Sequence, residues 1–139
     1  MLRSDHVAVG DSYSETVVEN LSRTQIVQYA GASGDYNPLH TDEVYAREAG
    51  GYKGVFAHGM LTMGLTGRML TNLVGPGRLV KFSVRFSNQV WPGDTLEASA
   101  VVTAVRREGE RVLVDLDIST VNQDGAVVVS GSATAEAAP

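Results

Sequence analysis

Apolar and polar positions alternate through most of the second half of the chain. Val80, Phe82, Val84 and Phe86 alternate with Lys81, Ser83, Arg85 and Ser87, which predicts a half-buried strand. Leu96, Ala98, Ala100 and Val102 continue the pattern after a turn at Trp91-Pro92-Gly93-Asp94. Glu108-Gly109-Glu110 reads as a hairpin loop, and Val112, Val114, Leu116 and Ile118 mark the strand that follows it. Asp124-Gly125 is a second hairpin signal, leading into a last strand over Ala126 to Ala135. An earlier strand is expected over Tyr13 to Asn20. Residues 1–12 read as a loosely held lead-in, and the last few residues as a fraying end.

The first half carries helical signals. Ser22 and Gln25 form a capping box before Ile26, Val27, Tyr29 and Ala30, and Gly34 ends that helix. A second short helix is expected over Glu43 to Ala49, capped by Thr41 or Asp42 and stopped by Gly50-Gly51. Residues 58–74 are apolar nearly all round and end at Gly75-Pro76-Gly77, which predicts a buried helix of about 25 Å. It is too short to span a membrane and it contains Arg68 and three glycines. Five antiparallel strands with one apolar helix indicate an α+β domain over residues 1–139. One curved sheet cannot easily cover such a helix, so a second copy is expected against it.

Composition narrows the function. The net charge of −5 argues against nucleic acid as a partner. The chain has no cysteine, which removes disulfides, thiol nucleophiles and thiolate metal sites. The N-terminus has no apolar signal core, so a cytoplasmic enzyme is the expectation.

The candidate chemistry lies between the helices. Asp35 sits just past a helix end and His40 just past the turn dipeptide Asn37-Pro38, so a short stiff loop can aim both at one volume. An aspartate beside a histidine is a usable proton-transfer pair; the competing reading is a turn residue and a surface histidine. Gly59 falls at the start of the apolar helix, where its N–H is an unpaired donor suited to a developing oxyanion; ordinary close packing is the alternative. His58 reads as a capping or core histidine before a catalytic one. His6 reads as an exposed histidine. Tyr52 to Phe56 is expected to form a mobile lip over the site. Lys53, Arg78, Lys81 and Arg85 are candidates for substrate phosphates, with a solvated polar surface as the alternative.

The motif S-G-D-x-N-P-L-H-x-D over Ser33 to Asp42, followed by F-A-H-G-M-L over Phe56 to Leu61, resembles the MaoC-like dehydratases and (R)-specific enoyl-thioester hydratases. Within that family the chain is most similar to the short actinobacterial type, including the B subunits of mycobacterial 3-hydroxyacyl-carrier-protein dehydratases. The resemblance implies a hotdog fold, a long helix wrapped by an antiparallel sheet, usually dimeric. It implies Asp35 and His40 as the catalytic pair and Gly59 as the thioester-oxygen donor, with Ser33, Asn37, Pro38 and His58 supporting the loop. The implied reaction is reversible hydration of enoyl thioesters of coenzyme A or acyl carrier protein, with no metal or cofactor. A homodimer is expected and a heterodimer is possible. The alternatives are a hotdog acyl thioesterase and an acyl-binding subunit of a hetero-oligomeric dehydratase.

Overall fold

The computed structural model describes residues 1–139. The strands are β1 (Ser12–Val18), β2 (Leu79–Phe86), β3 (Leu96–Glu108), β4 (Arg111–Val121) and β5 (Val127–Glu136). The helices are α1 (Arg23–Ser33), α2 (Glu43–Glu48) and α3 (Gly59–Val74), with a 3₁₀ turn over Pro38–His40. All strand pairs are antiparallel, in the order β1-β3-β4-β5-β2. The sheet curls around α3, which is the hotdog arrangement.

Alternation explains the packing. Leu96, Ala98, Ala100 and Val102 of β3 and Val112, Val114, Leu116 and Ile118 of β4 are all buried, facing Met69, Leu70 and Val74 of α3. One polar contact ties helix to sheet inside this core. The Thr66 hydroxyl donates to the Thr62 carbonyl at 3.0 Å and lies 2.7 Å from the Thr120 hydroxyl.

Three expectations are corrected. The ends of the chain are neither loose nor fraying. Leu2 is buried and its N–H donates to the Leu73 carbonyl, while Ser4 and Ala138 exchange main-chain bonds with Ala138 and Leu2. The two ends close the same corner of the core, a pairing across the whole chain that local pattern cannot show. In β2, Val80 is 55% exposed, because a register shift between Leu79 and Lys81 turns Leu79 inward in its place. Phe86, expected inward, is also half exposed. Finally, α3 is not buried all round. Thr62, Thr66, Met69, Leu70 and Val74 face the sheet, but Met60 is exposed, and Met63, Gly64 and Gly67 border an open apolar groove.

Candidate active site

Helix α1 delivers the first carboxylate. The Ser22 capping box is formed, with Gln25 N–H on Ser22 Oγ at 3.0 Å and Ser22 N–H on Gln25 Oε1 at 3.0 Å. Gly34 ends the helix at φ +75°, a conformation that favours glycine. Asp35 follows, its N–H donating to Ser33 Oγ at 3.2 Å. Its own Oδ1 accepts the Asn37 N–H at 3.2 Å, and Asn37 Oδ1 accepts the Leu39 N–H at 3.0 Å. These side-chain turns, with Pro38 opening the 3₁₀ turn, bring His40 back beside Asp35. Ser33, Asn37 and Pro38 therefore all shape the loop.

His40 is half-buried. Its Nδ1–H donates to the Phe56 carbonyl at 2.6 Å, which leaves a lone pair on Nε2. Burial pushes this imidazole below its ordinary pKa, and the nearby His58 acts the same way. The Phe56 carbonyl and the Asp35 carboxylate pull it back up. The balance favours a neutral ring, the form that can accept a proton.

His58 is almost wholly buried. Its ring stacks on His40 with centroids 3.8 Å apart, and Tyr29 packs on it edge-on at 4.8 Å. Its Nε2–H donates to the Asp35 carbonyl at 3.0 Å; its Nδ1 is buried with no partner. It occupies the N-cap position of α3, but its side chain makes no capping bond and does not face solvent. A carboxylate oxygen of Asp35 and one nitrogen of each ring lie within 4.8 Å of one another. His40 keeps its Nε2 free while His58 commits its Nε2–H to the Asp35 carbonyl, an arrangement that suits proton handling.

Gly59 is the first residue of α3, so its N–H has no acceptor within the helix and sits at the positive end of the dipole. A Cβ here would come within 3.2 Å of the Phe86 ring. Beside it lies a cavity of about 300 Å³, bordered by Phe56, Ala57, Gly59, Thr62, Phe86 and Val128. Phe56 is the shared wall: its carbonyl holds His40 and its residue borders the cavity. The segment 52–56 is this wall, not a mobile lip. Val55 is buried, its N–H donates to Glu43 Oε2 at 3.2 Å, and Phe56 N–H donates to the Leu39 carbonyl at 3.4 Å.

The phosphate candidates separate. Lys53 places its ammonium 4.3 Å from the Trp91 ring, and Trp91 packs on Phe56. Arg78 donates to the Ala137 carbonyl at the opposite end of α3 and lies 4.0 Å from Glu136. Lys81 and Arg85 alternate with Phe82 and Phe86, whose rings meet α3 at Gly67 and Gly59, so they project from the other face of the sheet. Of these four the structure places only Lys53 on the side of the molecule that carries Asp35 and His40, where it shares a cavity with Arg23 and Arg47, which sequence reasoning missed. Arg23 is far from Lys53 along the chain, and Arg47 meets the Lys53 carbonyl only through the turn that follows α2.

The MaoC like domain family matches residues 6–123. The chain belongs to this family. It is 35% identical over 128 residues to an (R)-specific enoyl-CoA hydratase of Rhodospirillum rubrum, covering 91% of this chain and 86% of that protein. It is 33% identical over 128 residues to a mitochondrial 3-hydroxyacyl-[acyl-carrier-protein] dehydratase of Arabidopsis thaliana, covering 91% and 75%. Among solved structures it resembles the unliganded R-hydratase PhaJ1 of Pseudomonas aeruginosa, with TM-score 0.86 and 28% identity over 99% of this MaoC-like chain and 86% of that one.

Proposed function

We propose that residues 1–139 act as one hydro-lyase domain that adds water to trans-2-enoyl thioesters and, in reverse, dehydrates (3R)-hydroxyacyl thioesters. The observation that carries this reading is the tautomer of His40. With Nδ1–H committed to Phe56, the Nε2 lone pair is the base, beside the carboxylate of Asp35. A water held between the two loses a proton to Nε2 as its oxygen bonds to the β-carbon. Asp35 orients that water and stabilises the imidazolium. The electron pair of the double bond moves onto the thioester, where the Gly59 N–H donates a hydrogen bond to the developing oxyanion. One such donor is worth about 3 kcal/mol in the transition state. The proton then passes from the dyad to the α-carbon, so the elements of water are added across the double bond and the thioester stays intact. The chemistry closes with water and these groups alone, and no metal or cofactor is invoked. The stereochemical assignment rests on the named relatives.

The acyl chain is assigned to the cavity beside Gly59. The open groove along α3, bordered by Tyr29, Met60, Met63, Gly67, Leu79 and Phe82, is apolar and is assigned to a second copy of the chain. Sedimentation of the purified protein at twice the monomer mass is the expected result.

Loss of enoyl absorbance on mixing with crotonyl-CoA, without release of free thiol, tests the reaction. Release of thiol at the same rate would instead identify a thioesterase. No change with either C4 or longer enoyl thioesters would remove the hydratase reading.

A further inference from the structure

A second cluster lies beyond the wall formed by Phe56 and Trp91. Glu43 sits at its centre. Arg23 donates to Glu43 Oε1 through Nε at 2.8 Å and Nη2 at 2.6 Å. Arg47 approaches Glu43 Oε2 at 3.6 Å through Nη2, and its Nε donates to the Lys53 carbonyl at 3.1 Å. Gly54 lies so close that a Cβ there would come within 2.7 Å of Glu43 Oε2. Lys53 makes no ion pair and rests on the Trp91 ring. Together these residues border a cavity of about 200 Å³.

The charges do not cancel. Three cations surround one carboxylate in a chain whose net charge is −5. Nη1 of Arg23, Nη1 of Arg47 and Nζ of Lys53 have no protein acceptor. Glu43 orders the two guanidinium groups and the 53–55 segment without neutralising them. The resulting concavity offers planar donors and one ammonium to an anion with several acceptor oxygens.

The span from this cluster to His40 lies within the reach of a substrate arm. The Lys53 ammonium is 4.3 Å from the Trp91 ring, Trp91 is 5.6 Å from Phe56, and Phe56 is 5.2 Å from His40. At most about 15 Å therefore separates the ammonium from the His40 ring. A pantetheine arm has about thirteen bonds from its sulfur to its phosphorus, equivalent to about four extended residues or roughly 15 Å. We infer that Arg23, Arg47 and Lys53 hold the phosphate at the far end of the pantetheine arm of the substrate thioester. The inference rests on the thioester reading above and adds residues and a location to it. A phosphate on such an arm occurs both in coenzyme A, as a diphosphate, and on a carrier protein, as a phosphodiester.

The test uses non-reactive butyryl thioesters and reads binding, not turnover. Calorimetric titration compares butyryl-4′-phosphopantetheine with butyryl-pantetheine on the whole chain. The wild type should bind the phosphorylated arm at least tenfold more tightly. Arg47→Gln and Lys53→Gln should each erase most of that preference, while their affinity for butyryl-pantetheine stays unchanged and so reports an intact site. Equal wild-type affinity for the two arms would overturn the inference, as would a preference that survives both substitutions. Butyryl-CoA and butyryl carrier protein are then titrated side by side. The tighter of the two names the source, and its weakening in Arg47→Gln is the expected result. Turnover of crotonyl-CoA without any phosphate preference would sink this site alone. Phosphate preference without turnover would sink the proposed reaction alone.

Discussion

The rings of His40 and His58 stack with centroids 3.8 Å apart and planes 26° from parallel. One ring is half exposed and keeps a free nitrogen; the other is buried and holds the Asp35 carbonyl. His58 thus touches both members of the dyad, one through its face and one through its edge. We expect it to act as a positioning residue. Replacing His58 by Phe keeps a flat ring but removes the bond to Asp35, and should lower kcat about tenfold to a hundredfold with KM little changed. His58→Gln retains an N–H at a similar reach and should recover much of the loss. A Gln variant no better than the Phe variant would assign His58 to packing alone.

Asp35 and His40 sit on a loop outside the main core, so changing them should spare the fold. Asp35→Asn and His40→Ala should each lower turnover of crotonyl-CoA by about a hundredfold or more; Asp35→Asn should keep its thermal midpoint, and His40→Ala, which loses the stack on His58, should stay folded with a lower one. Wild-type rates in either variant would remove that residue from the mechanism.

The depressed pKa of His40 sets a pH profile. Burial keeps the ring neutral, so the base form persists to pH values below the ordinary imidazole value of about 6.5. Hydration should hold constant through neutrality and fall only at more acidic pH, and His40→Ala should lack that inflection. Stability follows the same sign. The unfolded chain takes up this proton first, so the contribution is fully present above the unfolded value and is lost as pH falls through it towards the lower folded value. A midpoint for kcat/KM above that of free imidazole would contradict the assignment.

Two glycines should behave in opposite ways. A Cβ at Gly59 meets only the half-exposed Phe86 ring, at 3.2 Å, and that side chain has room to shift. Gly59→Ala should therefore fold normally but lose turnover as the cavity narrows. At Gly131 a Cβ would collide with the Ser83 carbonyl and lie 2.8 Å from Val84 Cα, both main-chain atoms of β2. Gly131→Ala should cost about 4 kcal/mol or prevent folding. Denaturant titration separates the two cases.

The Thr66–Thr120 contact offers a clean double-mutant cycle. Thr66→Val leaves the buried Thr120 hydroxyl without that partner and should cost about 1–3 kcal/mol. The Thr66→Val, Thr120→Val pair should cost less than the sum of its parts. Additive costs would show that the two hydroxyls do not depend on each other.

The local parts of this molecule were legible in the sequence. Ser22, Gly34, Asn37 and Pro38 determine the α1 cap, its end and the turn through bonds spanning a few residues, and the alternation in β3 and β4 identifies their buried faces. Asp35, His40 and Gly59 were singled out as candidates from those local elements, and their proposed roles came from the resemblance that their motif carries. Tertiary structure decided whatever depends on distant partners. The stack of His58 under His40 joins residues eighteen positions apart through ring packing, which no periodicity encodes. The tautomer of His40 is set by the Phe56 carbonyl, a backbone atom present at every residue and visible only once placed. The register shift that turns Val80 outward, the closure of Leu2 against Leu73 and Ala138, and the gathering of Arg23 and Arg47 beside Lys53 belong to the same class. Sequence pattern reports which side of an element prefers water. Which group meets which across the fold is fixed only when the sheet closes on the helix.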